Sequence, residues 1–375
     1  AIPILTPLAA IRTDLPAEAV GYLASAVAAG ALGFYLVGAG AVSFLGPIRA
    51  LQTGVVLSAF ASLLFLTDVW WLFVLASLAI GVGLGMNMPA SSVLLASVVP
   101  NNRINTAFSI KQAAVPAGGL IAGLCLPLLS VHLVWWAPIA LLVTLGLAVT
   151  GLGQVFRREF DRQSKRADDC WKRPRILDTN LVLRLSHMRR LLLAGMLFAV
   201  AQGCVSAFMV TYMVFEIKQS LALSGVMYSL NHFLGMGGRI LAGWVADRYV
   251  PAALALRLLS LLSGLSIIVL AGLGDETSTF AVVVAVALVG LLIGSWNGIF
   301  LAHIAQVTEL DHIAVATNSS AIAIFLGFLI GPAAFAALLV LSEDYLYAFL
   351  VPTMAVLAAA FLVPGWREHV GTLRP

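Results

Sequence analysis

The stretch GRILAGWVADRYV, from Gly238 to Val250, sets an acid beside a base at the end of an apolar segment. Only 10% of the chain is Asp, Glu, Lys or Arg, so Asp247 and Arg248 stand out against long runs of Leu, Ala, Val and Gly. Charged residues are costly in lipid and collect where helices leave it. We therefore interpret this stretch as the inner end of a membrane-spanning helix.

The composition of the whole chain supports a membrane protein. Hydrophobic residues make up 61% of the 375 residues, and the mean hydropathy is +1.02. A soluble domain is about half apolar and about a quarter charged. Several apolar runs reach the roughly 20 residues that cross a bilayer as a helix, and they lack the alternation of barrel strands. We predict an all-α integral membrane protein.

The apolar runs predict eleven complete spans. They cover 17–42, 50–67, 71–96, 106–129, 132–156, 188–214, 221–245, 252–272, 279–305, 313–340 and 345–364. Residues 1–10 resemble the outer tail of one more helix whose beginning is absent, so the expected total is twelve. Spans are numbered here from that partial first helix, which makes 106–129 the fifth and 221–245 the eighth.

The basic residues predict the orientation of the spans. Eleven of the 21 Lys and Arg residues lie between Arg157 and Arg190, and positive charge marks the cytoplasmic side of a membrane protein. The stretches 274–278 and 342–344 carry only acidic charge and fall on the opposite side. The expected location is the inner (plasma) membrane, crossed many times.

The two halves of the chain look like a repeat. Residues 38–54, after the second span, correspond to 237–257 after the eighth, and 103–123 correspond to 312–332 at a similar offset. Two bundles joined by a basic linker are typical of transporters built from parallel repeats. The predicted parts are an N-terminal bundle (1–156), a cytoplasmic linker (157–187) and a C-terminal bundle (188–375).

The motif after the eighth span resembles the signature loop of the major facilitator superfamily. Gly243, Asp247 and Arg248 match its G-x-x-x-D-R pattern. The resemblance extends over the chain from about residue 15. It implies the major facilitator fold, with two six-helix bundles of which the first helix is largely missing here. It also implies solute transport by alternating access.

In the first half the same loop is degenerate. Gly46 and Arg49 remain, but Ser43 and Phe44 stand where the acid and the base belong. The segments SIKQAAVPAGG and GSWNGIFLAHIA resemble a bacterial branch of the family.

The resemblance implies a gating role for Gly243, Asp247 and Arg248. A carboxylate is favourable at a helix N-terminus, so Asp247 is expected to dock on the start of the eleventh span, near His312. Alternatively, the charged pair only marks a cytoplasmic turn. The nearby glycines then serve close helix packing: Gly235, Gly237, Gly238 and Gly243.

Polar side chains inside spans identify the candidate substrate site, because each is costly in lipid and faces a cavity or a partner helix. The candidates lie on spans that line the central cavity of this architecture: Lys111, Gln112, Tyr228, Asn231, His232 and Asn297. Lys111 either meets a substrate anion or extends toward the cytoplasm. His232 either faces the cavity or packs against a helix. Tyr228 and Asn231 are three residues apart and are expected to share a face.

Missing motifs narrow the function. The sequence has no G-x-x-x-x-G-K-[ST] loop for ATP, no metal-ligand spacing and only three scattered cysteines. The fourth span lacks the basic residue that the family's proton-coupled drug exporters carry, which disfavours a drug:proton antiporter. We therefore expect no enzyme, no cofactor and no bound metal.

We predict a secondary active transporter of a small organic solute. An organic anion is preferred, because Lys111 and His232 are candidate cations. Expected partners are the small-molecule substrate, the lipid bilayer and a coupling proton or ion, with no nucleic acid and a monomeric state. The alternatives are an efflux transporter of hydrophobic compounds, a membrane-embedded enzyme and a non-transporting membrane sensor.

Overall fold

The computed structural model describes residues 3–6, 15–37, 39–98, 104–164, 186–308 and 313–364, which are helical and contain no strand. The N-terminal group comprises α1 (Ala19–Val37), α2 (Ala39–Leu45), α3 (Pro47–Ser62), the 3-10 turn Leu63–Leu66, α4 (Trp70–Val98), α5 (Ile104–His132) and α6 (Ala137–Ser164). The C-terminal group comprises α7 (Ser186–Phe215), α8 (Leu221–Arg248), α9 (Ala252–Ala271), α10 (Thr279–Ile293), α11 (Trp296–Val307), α12 (Ile313–Ser342), α13 (Tyr345–Ala348) and α14 (Leu350–Leu362).

The predicted all-α membrane fold is confirmed. Ten segments of the described residues are long and apolar enough to span a bilayer. The helix α8, predicted as the eighth span, is not among the ten although it has 28 residues. Its glycines and serines, together with Asn231 and His232, lower its hydropathy.

In the C-terminal group, two of the predicted spans are interrupted in the structure. The tenth breaks between α10 and α11, where Gly294 is the C-cap of α10 and Ser295 precedes Trp296. The last breaks at Phe349, between α13 and α14. A glycine favours a helix end because it has the largest backbone entropy to lose within a helix.

The predicted linker, 157–187, lies largely outside the described residues. The helix α6 extends past the predicted end of its span to Ser164, and α7 begins at Ser186. The end of the molecule where α6 stops and α7 starts is called the linker side here. Cys170 and His312 are also outside the described residues.

The backbone conformation of the degenerate loop in the first half requires a glycine at position 46. Gly46 has φ 88°, a value that side-chain-bearing residues rarely adopt. It precedes Pro47 at the start of α3, where a missing N–H costs nothing. Arg49 and Phe44 are exposed in this loop.

Glycines set the helix spacing inside each group. A Cβ placed on Gly81 of α4 would lie 2.0 Å from the Val27 carbonyl oxygen of α1. In the C-terminal group, a Cβ on Gly327 of α12 would lie 2.2 Å from the Met196 carbonyl of α7. Such backbone approaches are how helices associate in lipid, where apolar burial alone gives little driving force.

The largest buried cluster surrounds α7. Phe208 stacks on Phe335 of α12 with ring centroids 4.1 Å apart, and Phe198 stacks on Trp296 at 5.1 Å. The hydroxyl of Tyr212 lies within hydrogen-bond distance of the Leu270 carbonyl (2.9 Å) and the Leu273 carbonyl (2.7 Å), where α9 ends. The helix α7 therefore lies at the centre of the C-terminal group, with the other helices packed around it.

The two groups of helices meet along two seams. In the apolar seam, α1 packs on α12: the rings of Tyr35 and Phe325 lie 5.3 Å apart, and Ala31 and Leu32 are buried beside them. In the polar seam, α5 packs antiparallel on α8. This second seam carries the predicted site residues.

Candidate substrate site at the polar seam

Lys111 is held against α4 of its own bundle. Its Nζ donates to the Met88 carbonyl at 3.0 Å and to the Ser92 hydroxyl at 2.5 Å. The Ser91 hydroxyl also donates to the Met88 carbonyl, at 3.1 Å. The ammonium group is thus half-buried and oriented, in the first described turns of α5.

The residue after Lys111 links the two bundles. The carbonyl of Gln112 accepts a hydrogen bond from Nη1 of Arg239, on α8, at 3.3 Å. In an unbroken helix this carbonyl would accept from the amide of residue 116, which is Pro116 and has no N–H. Proline therefore leaves an acceptor in the seam that the arginine of the other bundle takes.

Arg239 is a candidate site residue that the sequence analysis missed. It precedes Arg248 by nine residues in one helix, which is roughly 13 Å at 1.5 Å per residue. Its Nε donates to the Gly294 carbonyl at 2.7 Å. A cation this far from the helix end is the same signal that singled out Lys111, but it was overlooked because it lies beside the loop motif.

His232 lies in the same seam. Its ring is 4.3 Å from the ring of Tyr228, and a Cβ placed on Gly119 of α5 would lie 1.8 Å from its Cδ2. Nδ1 is buried and makes no hydrogen bond with a described residue. The imidazole thus packs across the seam onto bare helix backbone, which only a glycine at position 119 permits.

Asn231 and Tyr228 contact different partners in the structure. The Asn231 amide donates to the Val286 carbonyl of α10 at 3.2 Å, inside the C-terminal bundle. Tyr228 is buried and turns its ring to His232. Asn297 is half-buried in the first turn of α11, three residues after Gly294. The structure therefore collects Gln112, Tyr228 and His232 at the seam, and places Asn231 in a helix contact.

The predicted gating residues lie at the exposed end of α8. The Arg248 guanidinium carbon sits 5.4 Å from the centre of the Trp244 ring, a cation–π distance. Asp247 is exposed and forms no ion pair with a described residue. The docking of Asp247 near His312 stays a prediction, because His312 is outside the described residues.

Close packing accounts for part of the glycine cluster in α8. A Cβ on Gly238 would lie 2.5 Å from the Leu291 carbonyl of α10, and one on Gly235 would lie 3.1 Å from the Gly290 carbonyl. Among the described residues, no atom outside the neighbouring turns of α8 lies within 4 Å of the corresponding position on Gly237 or Gly243. Packing therefore explains Gly235 and Gly238 but gives no reason for the signature glycine.

Solved structures of several transporters resemble this chain. A bacterial homologue of the human lysosomal transporter Spinster, in an inward-facing and occupied conformation, superposes with a TM-score of 0.76 at 12% identity, covering 96% of this chain and 92% of that one. A bacterial homologue of the iron transporter ferroportin, in an inward-facing state, gives 0.69 at 15% identity, covering 96% and 93%. The E. coli fucose:proton symporter FucP gives 0.59 at 17% identity, covering 96% and 95%.

At these identities the structural likeness shows the shared fold. Comparison with curated proteins gives no significant match. The sequence model of the Major Facilitator Superfamily, a family of transporters, matches residues 1–332, which is most of the chain. The protein therefore belongs to the major facilitator superfamily of membrane transporters.

Proposed function

We propose that the protein is a secondary active transporter that moves a small organic anion by alternating access. The observation that carries the proposal is the pair of basic side chains on the facing helices of the polar seam, Lys111 on α5 and Arg239 on α8. Neither helix has an Asp or Glu in its interior. An excess of positive charge at a bundle interface favours an anionic substrate.

Alternating access places this substrate between the two bundles. In transporters with repeats of this type, one bundle rocks against the other around a site near the middle of the membrane. In this proposal the linker side is cytoplasmic and the membrane is the inner membrane, as the basic linker predicts. A proton or another ion is the proposed coupling partner.

The loop after α8 has a separate part in the proposal. Gly243, Asp247 and Arg248 gate the cytoplasmic side, with Asp247 docking on the start of α12 in one state and released in the other. A carboxylate at a helix N-terminus is stabilised by only about 0.3–1 kcal/mol at an exposed site. Such a contact is weak enough to break in each transport cycle.

The test is transport by the purified protein in liposomes, using a panel of small carboxylates and phosphate esters. Lys111→Gln is expected to raise the apparent KM for an anionic substrate about tenfold, since a hydrogen bond to a charged group is worth about 1.5–3 kcal/mol. Lys111→Arg keeps the charge and changes the geometry, so it retains part of the affinity.

Lys218→Gln is the matched control. Lys218 also donates to a backbone carbonyl, that of Phe215, but it lies in the connection between α7 and α8. An unchanged KM in Lys111→Gln would remove the support for an organic anion. Transport of uncharged hydrophobic dyes, equal in wild type and Lys111→Gln, would favour the efflux alternative.

A further inference from the structure

Arg239 binds two backbone carbonyls that belong to different bundles. Its Nε donates to Gly294 of the C-terminal bundle at 2.7 Å, and its Nη1 donates to Gln112 of the N-terminal bundle at 3.3 Å. The side chain is partly buried, and it lies in the part of α8 that the sequence predicts to span the membrane. It is therefore a cation that touches both halves of the transporter.

Both acceptors are available for a specific reason. Gln112 lacks its helical donor because Pro116 has no amide N–H. Gly294 is the C-cap of α10, so its carbonyl lies at the negative end of that helix dipole, before α11 begins. Arg239 therefore donates to one carbonyl that has lost its helical donor and to another at the end of a helix.

Neutral carbonyls leave the charge of Arg239 uncompensated. A guanidinium carries five N–H donors, and two of its nitrogens are engaged in these bonds. Among the described residues no carboxylate pairs with Arg239. A cation inside a span is costly unless an anion or water accompanies it, so this side chain is ready to accept an anionic group.

We infer that Arg239 binds the anionic group of the substrate, and that this group replaces the Gln112 carbonyl on the guanidinium. The inference rests on the proposed function and adds a ligand from the bundle opposite to Lys111. Carboxylates and phosphates bind arginine in paired, charge-assisted hydrogen bonds, which are roughly twice as strong as neutral ones. A single 3.3 Å bond to a neutral carbonyl is the weaker competitor.

The exchange also couples binding to movement. Gln112 and Arg239 stand on facing helices of the two bundles, so their bond ties the bundles together. When the substrate takes the Gln112 position on Arg239, one link across the polar seam is released. Substrate binding thereby favours the rocking that alternating access requires, because the ligand interacts differently with the two states.

The experiment uses the purified full chain in detergent. Mono-, di- and tricarboxylates, inorganic phosphate and phosphate monoesters are each paired with an uncharged amide or alcohol analogue. A compound that binds the native state raises the melting temperature. The most stabilising anion is then titrated against wild type, Arg239→Gln, Arg239→Lys and Lys111→Gln.

Arg257→Gln is the matched control. Arg257 of α9 also donates to a backbone carbonyl, that of Val363 at 2.7 Å, but both residues lie in the C-terminal bundle. Its substitution removes an arginine of the same bonding type without touching the polar seam. Wild-type anion affinity is expected for Arg257→Gln.

Arg239→Gln is expected to weaken binding of the anion about tenfold or more and to leave the uncharged analogue unaffected. Wild-type anion affinity in Arg239→Gln, or an equal loss in Arg257→Gln, would overturn the inference. If Arg239→Gln aggregates on size exclusion, Arg239→Lys decides: it keeps the charge without the planar fork, so several-fold weaker binding supports the inference and wild-type affinity contradicts it.

Lys111→Gln separates this inference from the proposed function. A loss of anion affinity in Lys111→Gln, with wild-type affinity in Arg239→Gln, keeps the organic anion and rejects the role of Arg239. If no anion in the panel stabilises the wild-type protein, the organic-anion function and the inference both fail.

Discussion

The two seams between the bundles differ in the kind of contact they make. The apolar seam of α1 and α12 relies on side chains without directional bonds, such as Ala31, Leu32 and Phe325. The polar seam of α5 and α8 places backbone against backbone at Gly123 and Gly225 and adds hydrogen bonds from Ser229 and Arg239. The two bundles are thus joined by apolar side-chain packing at one seam, and by close backbone contacts and hydrogen bonds at the other.

This difference has consequences for motion. Dispersion contacts between apolar side chains are individually small and change little when helices slide. Hydrogen bonds to backbone carbonyls have narrow geometry and are lost over small displacements. We therefore expect the helices of the apolar seam to slide past each other at little energetic cost. The hydrogen bonds of the polar seam should instead hold the two bundles in distinct arrangements.

The largest expected loss of stability comes from a substitution that disrupts the polar seam. In Gly123→Ala the new Cβ would lie 2.2 Å from the Ser229 hydroxyl oxygen and 2.6 Å from the Gly225 carbonyl. Because a backbone cannot rotate away, overpacking should cost about 3 kcal/mol. The measurement is the melting temperature by size exclusion after heating. Gly118→Ala is the control, because no described atom outside the neighbouring turns of α5 lies within 4 Å of its Cβ position. An equal loss in both variants would contradict this account of the seam.

A smaller effect is expected from the apolar seam. Phe325→Ala removes a buried ring that contacts Tyr35. Phe→Ala costs about 3–5 kcal/mol in a core surrounded by water, but lipid tails are as apolar as the seam, so about 2 kcal/mol is expected here. Anion affinity should stay unchanged, which distinguishes this seam from the other.

The control for that substitution is Phe361→Ala, since this ring is 79% exposed on α14. It should leave the melting temperature close to that of wild type. A stronger anion-binding defect in Phe325→Ala than in Arg239→Gln would reverse the assignment of roles to the two seams.

The smallest effect concerns one hydrogen bond. The Ser229 hydroxyl has two acceptors within reach, the Leu120 carbonyl across the polar seam at 2.8 Å and the Gly225 carbonyl of its own helix at 2.9 Å. Interhelical bonds in membranes average about 0.6 kcal/mol, so Ser229→Ala should lower the melting temperature only slightly. Ser320→Ala is the control, because among the described residues that hydroxyl bonds only the Ala316 carbonyl of its own helix. Identical melting temperatures in both variants would show that the cross-seam bond contributes nothing.

The sequence predicted the membrane class and most of the spans because hydropathy and helix length are local properties. It also placed a span at 221–245, although α8 is not among the segments that are apolar enough to cross a bilayer by composition alone. It also marked Gln112 and His232, which the structure places at the polar seam. It marked Lys111 too, which the structure holds against α4 of the N-terminal bundle.

Which face each polar residue presents was decided only by the tertiary structure. Asn231 and His232 are neighbours in sequence, yet one bonds α10 within its bundle and the other packs on Gly119 across the seam. Successive residues of a helix point about 100° apart, so the partner depends on where the neighbouring helices lie. The bond from Arg239 to Gln112 joins residues 127 positions apart. Local pattern determined that a cation lies in the span, and only the packing of two helices determined that it meets the carbonyl exposed by Pro116.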